Sequence, residues 1–201
     1  MGRDKGLLEK DGVIWAQYMA DKLSAASHLN SSGQEASSHQ KTSSHQVPDT
    51  GTPIFFSINP SQLSAYRRHI DPSLLIVDSP ALSAIAGPLK GLLSAHEQFP
   101  GADLLLLACD MIDLDEDTIR TLMAAWSGSA EANRHDFYVY AEGDFAQPFC
   151  GIYTSAGLAA VHTIALQGRL VDFSLQSLLR KGKTLRMPIR RMEAFRNYNV
   201  L

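Results

Sequence analysis

Residues 104–110 read Leu-Leu-Leu-Leu-Ala-Cys-Asp. A short, wholly apolar run of this kind is a strand buried on both faces, and here it stops abruptly at Cys109-Asp110. Two earlier runs share the pattern. Ile54-Phe55-Phe56-Ser57-Ile58 is β-prone and stops at Asn59-Pro60, and Leu74-Leu75-Ile76-Val77 stops at Asp78. In an open α/β sheet, ligands sit outside the carboxyl ends of the strands, so Asn59, Asp78 and Asp110 are expected to face one crevice. Asp110 is the foremost of them, because a carboxylate after a buried strand is well placed to hold Mg²⁺ against a triphosphate, with phosphate and water filling the other positions. The plain alternative is that each residue starts a loop or caps the next helix.

Helical patterns separate these strands. Ile14, Trp15, Tyr18, Met19 and Leu23 fall on one face of an amphipathic helix within Val13–Leu23. Further helices are expected near 61–69, 89–98, 117–127, 157–166 and 174–180, with strands at 137–140, 148–153 and 185–189. The pair around Glu142-Gly143-Asp144 is hairpin-like. This alternation predicts an α/β fold, a mostly parallel sheet with helices on both faces.

The chain of 201 residues is long enough for one domain with a sizeable core, and 45% of its residues are hydrophobic. The segment at about 24–51 breaks the pattern. It is rich in Ser, His, Gln, Asn and Thr and repeats Ser-Ser-His-Gln at 37–40 and 43–46. With few large apolar residues it cannot offset its ordering entropy, and it reads as a flexible surface insertion. His28, His39 and His45 lie in it without a closed ligand set for a metal.

A net charge of −3 without a Lys/Arg tract excludes bulk binding to nucleic acid. No apolar stretch reaches the roughly 18 residues that span a bilayer. The N-terminus, Met-Gly-Arg-Asp-Lys-Gly-Leu-Leu, is charged where a signal peptide is apolar. Cys109 and Cys150, each in an apolar segment, point to reduced thiols and a cytoplasmic location. The phosphates need a cation, and Lys5 is the N-terminal candidate, although a lone lysine near a terminus is usually solvated surface.

The same stretches, taken in order, resemble the molybdenum cofactor guanylyltransferases of the MobA type. Residues 1–8 resemble the second half of that family's fingerprint, Leu-x-Gly-Gly-x-Ser-x-Arg-Met-Gly-x-Asp-Lys. Gly87-Pro88-Leu89-Lys90-Gly91 resembles its Gly-Pro-Leu-x-Gly element, and Cys109-Asp110-Met111 its metal strand. Gln147-Pro148-Phe149 and Phe195-Arg196-Asn197-Tyr198-Asn199 resemble two later elements.

The resemblance implies a Rossmann-like nucleotidyltransferase fold and a transfer of GMP from GTP to molybdopterin, with Mg²⁺ as cofactor and pyrophosphate as by-product. Carried across by position, Lys5 binds GTP phosphate, Asp78 contacts the guanosine portion, and Asp110 binds Mg²⁺ and phosphate. Asn59, or its neighbour Ser57, takes the place of a nucleotide-contacting asparagine. Asn197 and Asn199 line the molybdopterin side. Partners implied are cofactor-insertion chaperones or molybdoenzymes, with no nucleic acid and no membrane.

The fingerprint's Gly-Gly-x-Ser-x-Arg part, a first strand and phosphate loop, does not precede Met1 in this sequence. Each backbone amide donated to phosphate is worth roughly 1.5–3 kcal/mol, so the chain as written is expected to bind GTP weakly. Two other readings stand beside this one. One is a transferase of the same fold that uses CTP or a sugar phosphate. The other is a non-catalytic relative that binds nucleotide or cofactor without turnover.

Overall fold

Asp11 and Gly12 both have positive φ, 55° and 79°. Two such residues form the tight turn whose twist matches paired strands. They join β1 (Glu9–Lys10) to β2 (Val13–Ile14), an antiparallel pair with Glu9 opposite Ile14. The computed structural model describes residues 4–28, 52–131, 134–196 and 198. Helix α1 (Trp15–His28) follows β2 directly, so it starts two residues later than the periodicity from Val13 suggests. It also runs further. Residues 24–28, expected to open the polar insertion, continue the helix, with Ala26 fully buried and Ser27 Oγ donating to the Leu23 carbonyl at 2.9 Å. Residues 29–51, with His39 and His45, lie outside the described residues.

Strand β3 (Phe56–Ile58) leads through the turn Pro60–Gln62 and α2 (Leu63–Tyr66) to β4 (Leu75–Val77). The two strands are parallel, Phe56 beside Leu75 and Ile58 beside Val77. Helix α3 (Pro88–Gln98) starts with proline at its first position, where the missing N–H costs nothing. Then come β5 (Leu104–Leu107), α4 (Glu116–Ser127), β6 (Phe137–Glu142), β7 (Phe145–Tyr153), α5 (Ser155–Leu166), α6 (Leu175–Lys181) and β8 (Thr184–Pro188). Polar caps mark three helix starts: the side chains of Asp115, Thr154 and Ser174 accept from the Thr118, Gly157 and Ser177 amides.

The expectation of a mostly parallel sheet fails. β5, β7, β6 and β8 form a four-stranded sheet in that order, in which β7 runs antiparallel to both β5 and β6, and only β6 and β8 are parallel. The reason lies in the connection. Gly143 and Asp144 alone link β6 to β7, with Gly143 at φ 54°, and so short a link closes only an antiparallel pair. Uniform apolarity signalled burial on two faces, not strand direction. Phe137 through Ala141 are all buried although they alternate between faces.

Helices do cover both faces. Leu104, Leu106, Phe137 and Val139 pack with leucines of α3 and α6 and with Leu158 of α5. Leu105, Leu107, Tyr138 and Tyr140 pack on the other side with Met19 of α1 and Ile119 and Leu122 of α4. Helix α3 also lies against β3 and β4. It thereby joins the parallel pair to the mixed sheet, since among the described residues β3 ladders only to β4 and β5 only to β7.

Candidate functional site

The strand ends gather the polar residues. Asn59 follows β3, Asp78 follows β4, and Asp110 comes three residues after β5. The Asp78 amide donates to the Ile58 carbonyl at 2.9 Å, which carries the parallel pairing one step beyond the strands.

Lys5 and Asp110, 105 positions apart, meet directly: Nζ donates to Oδ2 at 2.8 Å. The aspartate side chain is 15% exposed and the lysine 34%. Lys5 is therefore held at the strand ends and is not loose surface. It sits in a one-turn 3₁₀ segment, Lys5–Leu7, capped by Asp4, whose Oδ1 accepts from the Gly6 amide at 3.0 Å. The same carboxylate accepts from Gln62 Nε2 at 2.6 Å and from the Tyr66 hydroxyl at 3.2 Å. Burial, and then the Asp110 and Asp4 charges, push the neighbouring Cys109 thiol up to about 11, so it stays protonated at neutral pH. Cys150 is buried in β7, and both cysteines are free thiols.

Asn59 takes the cap role that its position also allowed. Its Oδ1 accepts from the Ser61 amide at 3.0 Å and the Ser61 hydroxyl at 2.6 Å, while its own amide donates to Gln62 Oε1 at 2.9 Å. Asp78 stands with a second group. A Cβ built on Gly91 would lie 2.5 Å from Ser57 Oγ and 3.6 Å from Asp78 Oδ1, so Ser57, Asp78 and α3 meet at a glycine. Burial raises the Asp78 carboxyl, and the Lys90 ammonium partly offsets this.

Of the predicted residues, then, Lys5 and Asp110 touch, Asn59 joins them through Gln62 and Asp4, and Asp78 lies with Ser57, Lys90 and Gly91. Asn197 and Asn199 lie outside the described residues. Tyr198 between them donates to Asp113 Oδ2 at 2.7 Å and meets the Trp15 ring edge-on at 6.2 Å. The sequence reading missed Asp4, Gln62 and Tyr66. Asn59-x-x-Gln62 is a capping-box pattern that could have pointed to Gln62, and Asp4 is the aspartate of the Met-Gly-x-Asp-Lys match; nothing local pointed to Tyr66.

Two cavities lie elsewhere. One of about 410 Å³ is lined by Lys22, Arg120 and the acidic run 113–117, and one of about 270 Å³ lies between α5 and α6. Neither is lined by Lys5, Asn59, Asp78 or Asp110.

Comparison with known proteins bears on the family of the chain. The family model described as the MobA-like NTP transferase domain matches residues 1–185. A molybdenum cofactor biosynthesis bifunctional protein of Synechocystis sp. is 26% identical over 158 residues, covering 79% of this chain and 36% of that protein. The chain thus spans little more than a third of that relative's length. Molybdopterin-guanine dinucleotide biosynthesis protein A from Archaeoglobus fulgidus has a similar fold, with a TM-score of 0.62 at 14% identity, over 98% of this chain and 85% of that one. With the match running through both the Lys5 turn and the Asp110 strand end, the chain belongs to the MobA-like NTP transferase family.

Proposed function

We propose that this chain transfers GMP from GTP to molybdopterin. A terminal phosphate oxygen of molybdopterin attacks the α-phosphorus of GTP, and the bond to the β-phosphate breaks as pyrophosphate leaves with the electron pair. Phosphoryl chemistry of this kind asks the protein for position and charge more than for covalent help. The observation that carries the reading is the Lys5–Asp110 pair at the strand ends, 2.8 Å apart, inside a family of nucleotidyltransferases.

The roles follow from chemistry. Lys5 supplies an ammonium for phosphate oxygens, and Asp110 is the residue that would hold Mg²⁺. One hard carboxylate suits that ion, which keeps waters and substrate phosphates as its other ligands. Asp110 offers a part-buried carboxylate, a hard oxygen donor of the kind that ion takes. When bound, Mg²⁺ neutralises charge on the transferring phosphate. Asp78, beside Ser57 and Gly91, contacts the guanosine portion, and the Asn59 turn borders the nucleotide. Asn197 and Asn199 are assigned to the molybdopterin side. GTP is favoured over CTP by the likeness of Gly87–Gly91 and Phe195–Asn199 to the guanylyl type.

The test is GTP binding by calorimetry with and without Mg²⁺, followed by pyrophosphate release on adding molybdopterin. Binding that Mg²⁺ strengthens and Lys5→Ala weakens, together with molybdopterin-dependent pyrophosphate, supports the reading. Binding without any turnover would mark a non-catalytic relative, and a preference for CTP would reassign the nucleotide.

A further inference from the structure

The Lys5–Asp110 contact joins the chain's start to the end of β5, yet Lys5 sits in a turn of only three residues. Something must hold that turn at the right height. The contacts of the Asp4 carboxylate serve this end. Oδ1 closes the turn through the Gly6 amide and receives the Tyr66 hydroxyl, and Oδ2 receives Gln62 Nε2. Gly6 is packed so closely that a Cβ there would lie 2.0 Å from the Tyr66 hydroxyl oxygen. Gln62 is itself anchored, because its Oε1 accepts from the Asn59 amide at 2.9 Å.

The result is a hydrogen-bonded belt, Asn59–Gln62–Asp4, then a single peptide bond, then Lys5–Asp110. It crosses from the end of β3 to the end of β5, two strands that share no ladder among the described residues. We propose that Asp4, gripped by Gln62 and Tyr66, is the positioning residue that aims Lys5 at Asp110, and that the belt sets the spacing between the two strand ends. Its use in catalysis rests on the reading above, that Lys5 and Asp110 handle nucleotide phosphate.

The direction of the bonds gives the belt a definite polarity. Gln62 donates to position 4 with one amide atom and accepts from Asn59 with the other. Tyr66 is buried, and burial first, then the Asp4 charge, pushes its hydroxyl upward, which keeps it a donor at any physiological pH. Asp4→Asn faces two amide groups against each other. If Gln62 turns over to compensate, it loses the Asn59 amide. Gln62→Glu faces two carboxylates at a 2.6 Å contact. The double variant Asp4→Asn with Gln62→Glu reverses donor and acceptor, conserves net charge and keeps an acceptor for Asn59.

The experiment reads Lys5 directly on the full chain. An amine-reactive acylating reagent is applied, and Lys5 labelling is measured by peptide mass spectrometry against exposed Lys183 as internal reference. Each single variant is expected to raise the relative labelling rate about tenfold, the scale of one lost charge-assisted hydrogen bond. The double variant is expected to return to within about threefold of wild type. Tyr66→Phe, which keeps the ring, is expected to give a smaller rise of about threefold. Circular dichroism checks that each variant is folded; where a single variant unfolds, Tyr66→Phe and the double variant carry the test. Unchanged labelling in the folded single variants and in Tyr66→Phe overturns the proposal, as does a double variant no better protected than either single. The GTP KM, measured in parallel, separates this from the functional reading. Restored labelling in the double variant with Lys5→Ala leaving the GTP KM unchanged upholds the belt and sinks the assignment of Lys5 to phosphate.

Discussion

Asp110 shows how one residue links fold to chemistry. Its carboxylate follows an apolar strand, so its position is fixed by the core while its charge faces a cation. Because Lys5 is one-third exposed, water can take over the ammonium when the partner is removed, and Asp110→Ala is expected to cost no more than about 1 kcal/mol of stability. If Asp110 holds Mg²⁺ as proposed, activity should fall far more, by roughly a hundredfold or beyond, since that charge neutralisation is lost. Urea unfolding beside steady-state rates checks both halves; near-normal rates with Mg²⁺ would remove Asp110 from the site. Gly6 makes the opposite case. It carries no chemistry, but Gly6→Ala puts a methyl on the Tyr66 hydroxyl and is expected to destabilise by about 1–3 kcal/mol. In the combined Gly6→Ala/Tyr66→Phe variant much of that loss should return, because the clashing oxygen is gone.

At the scale of elements, α3 is the piece on which most depends. Its Leu89, Leu92 and Leu93 are buried against the mixed sheet, while Gly91 leaves room for Ser57 in the middle of β3. Gly91→Ala drives a carbon into Ser57 Oγ, so it should loosen α3 from β3 and weaken GTP binding together. Adding Ser57→Ala should recover stability, which a double-mutant cycle would measure. The outer face of α3 meets α5 through titratable groups. His96 is 3% exposed, its Nδ1 has no hydrogen-bond partner among the described residues, and its ring lies 5.7 Å from that of His162, whose Nε2 is 2.9 Å from Glu97 Oε1. Burial, and then the His162 charge, hold His96 below its usual value of 6.5, despite the Glu97 charge. A histidine kept neutral in the fold takes up a proton more readily when unfolded, so this contribution is intact at neutral pH and is lost as pH falls below about 6.5. Glu97 adds a loss at lower pH. Burial raises its carboxyl, but hydrogen bonds from Ser79 and His162 and the charges of His162 and His96 together leave it below 4.5. The melting temperature should therefore drop between pH 7.5 and 5.5, and His96→Leu should flatten that slope. An unchanged slope in the variant would show that His96 is not the group responsible.

For the molecule as a whole, two cores cover opposite faces of the mixed sheet, and a third, with Ile14, Ile58, Tyr66 and Ile70, packs the parallel pair together with Cys109. Leu93 is fully buried where α3 meets that sheet. Leu93→Ala is expected to cost about 2–5 kcal/mol and to lower nucleotide affinity without touching the site, because α3 carries Gly91. Denaturant titration and GTP calorimetry on the one variant test both effects.

The amino-acid sequence by itself determined the elements and the ends that matter. Apolar runs stopping at Asn59, Asp78 and Asp110 mark strand boundaries, because burial ends where a polar side chain must reach water or a partner. The Gly143-Asp144 turn and the hairpin-like pair it closes were legible as well, and β6 and β7 do run antiparallel across it. Only tertiary structure decided what each polar residue does. Asn59 closes a capping box, Lys5 meets a residue 105 positions away, and Asp4 receives Gln62 and Tyr66 from beyond residue 60. Periodicity reports how much of a side chain is buried and says nothing of which distant group shares its place. Tyr66 therefore left no local trace, and neither did the direction of β7 against β5, since a strand covered on both faces has the same apolar composition in either direction.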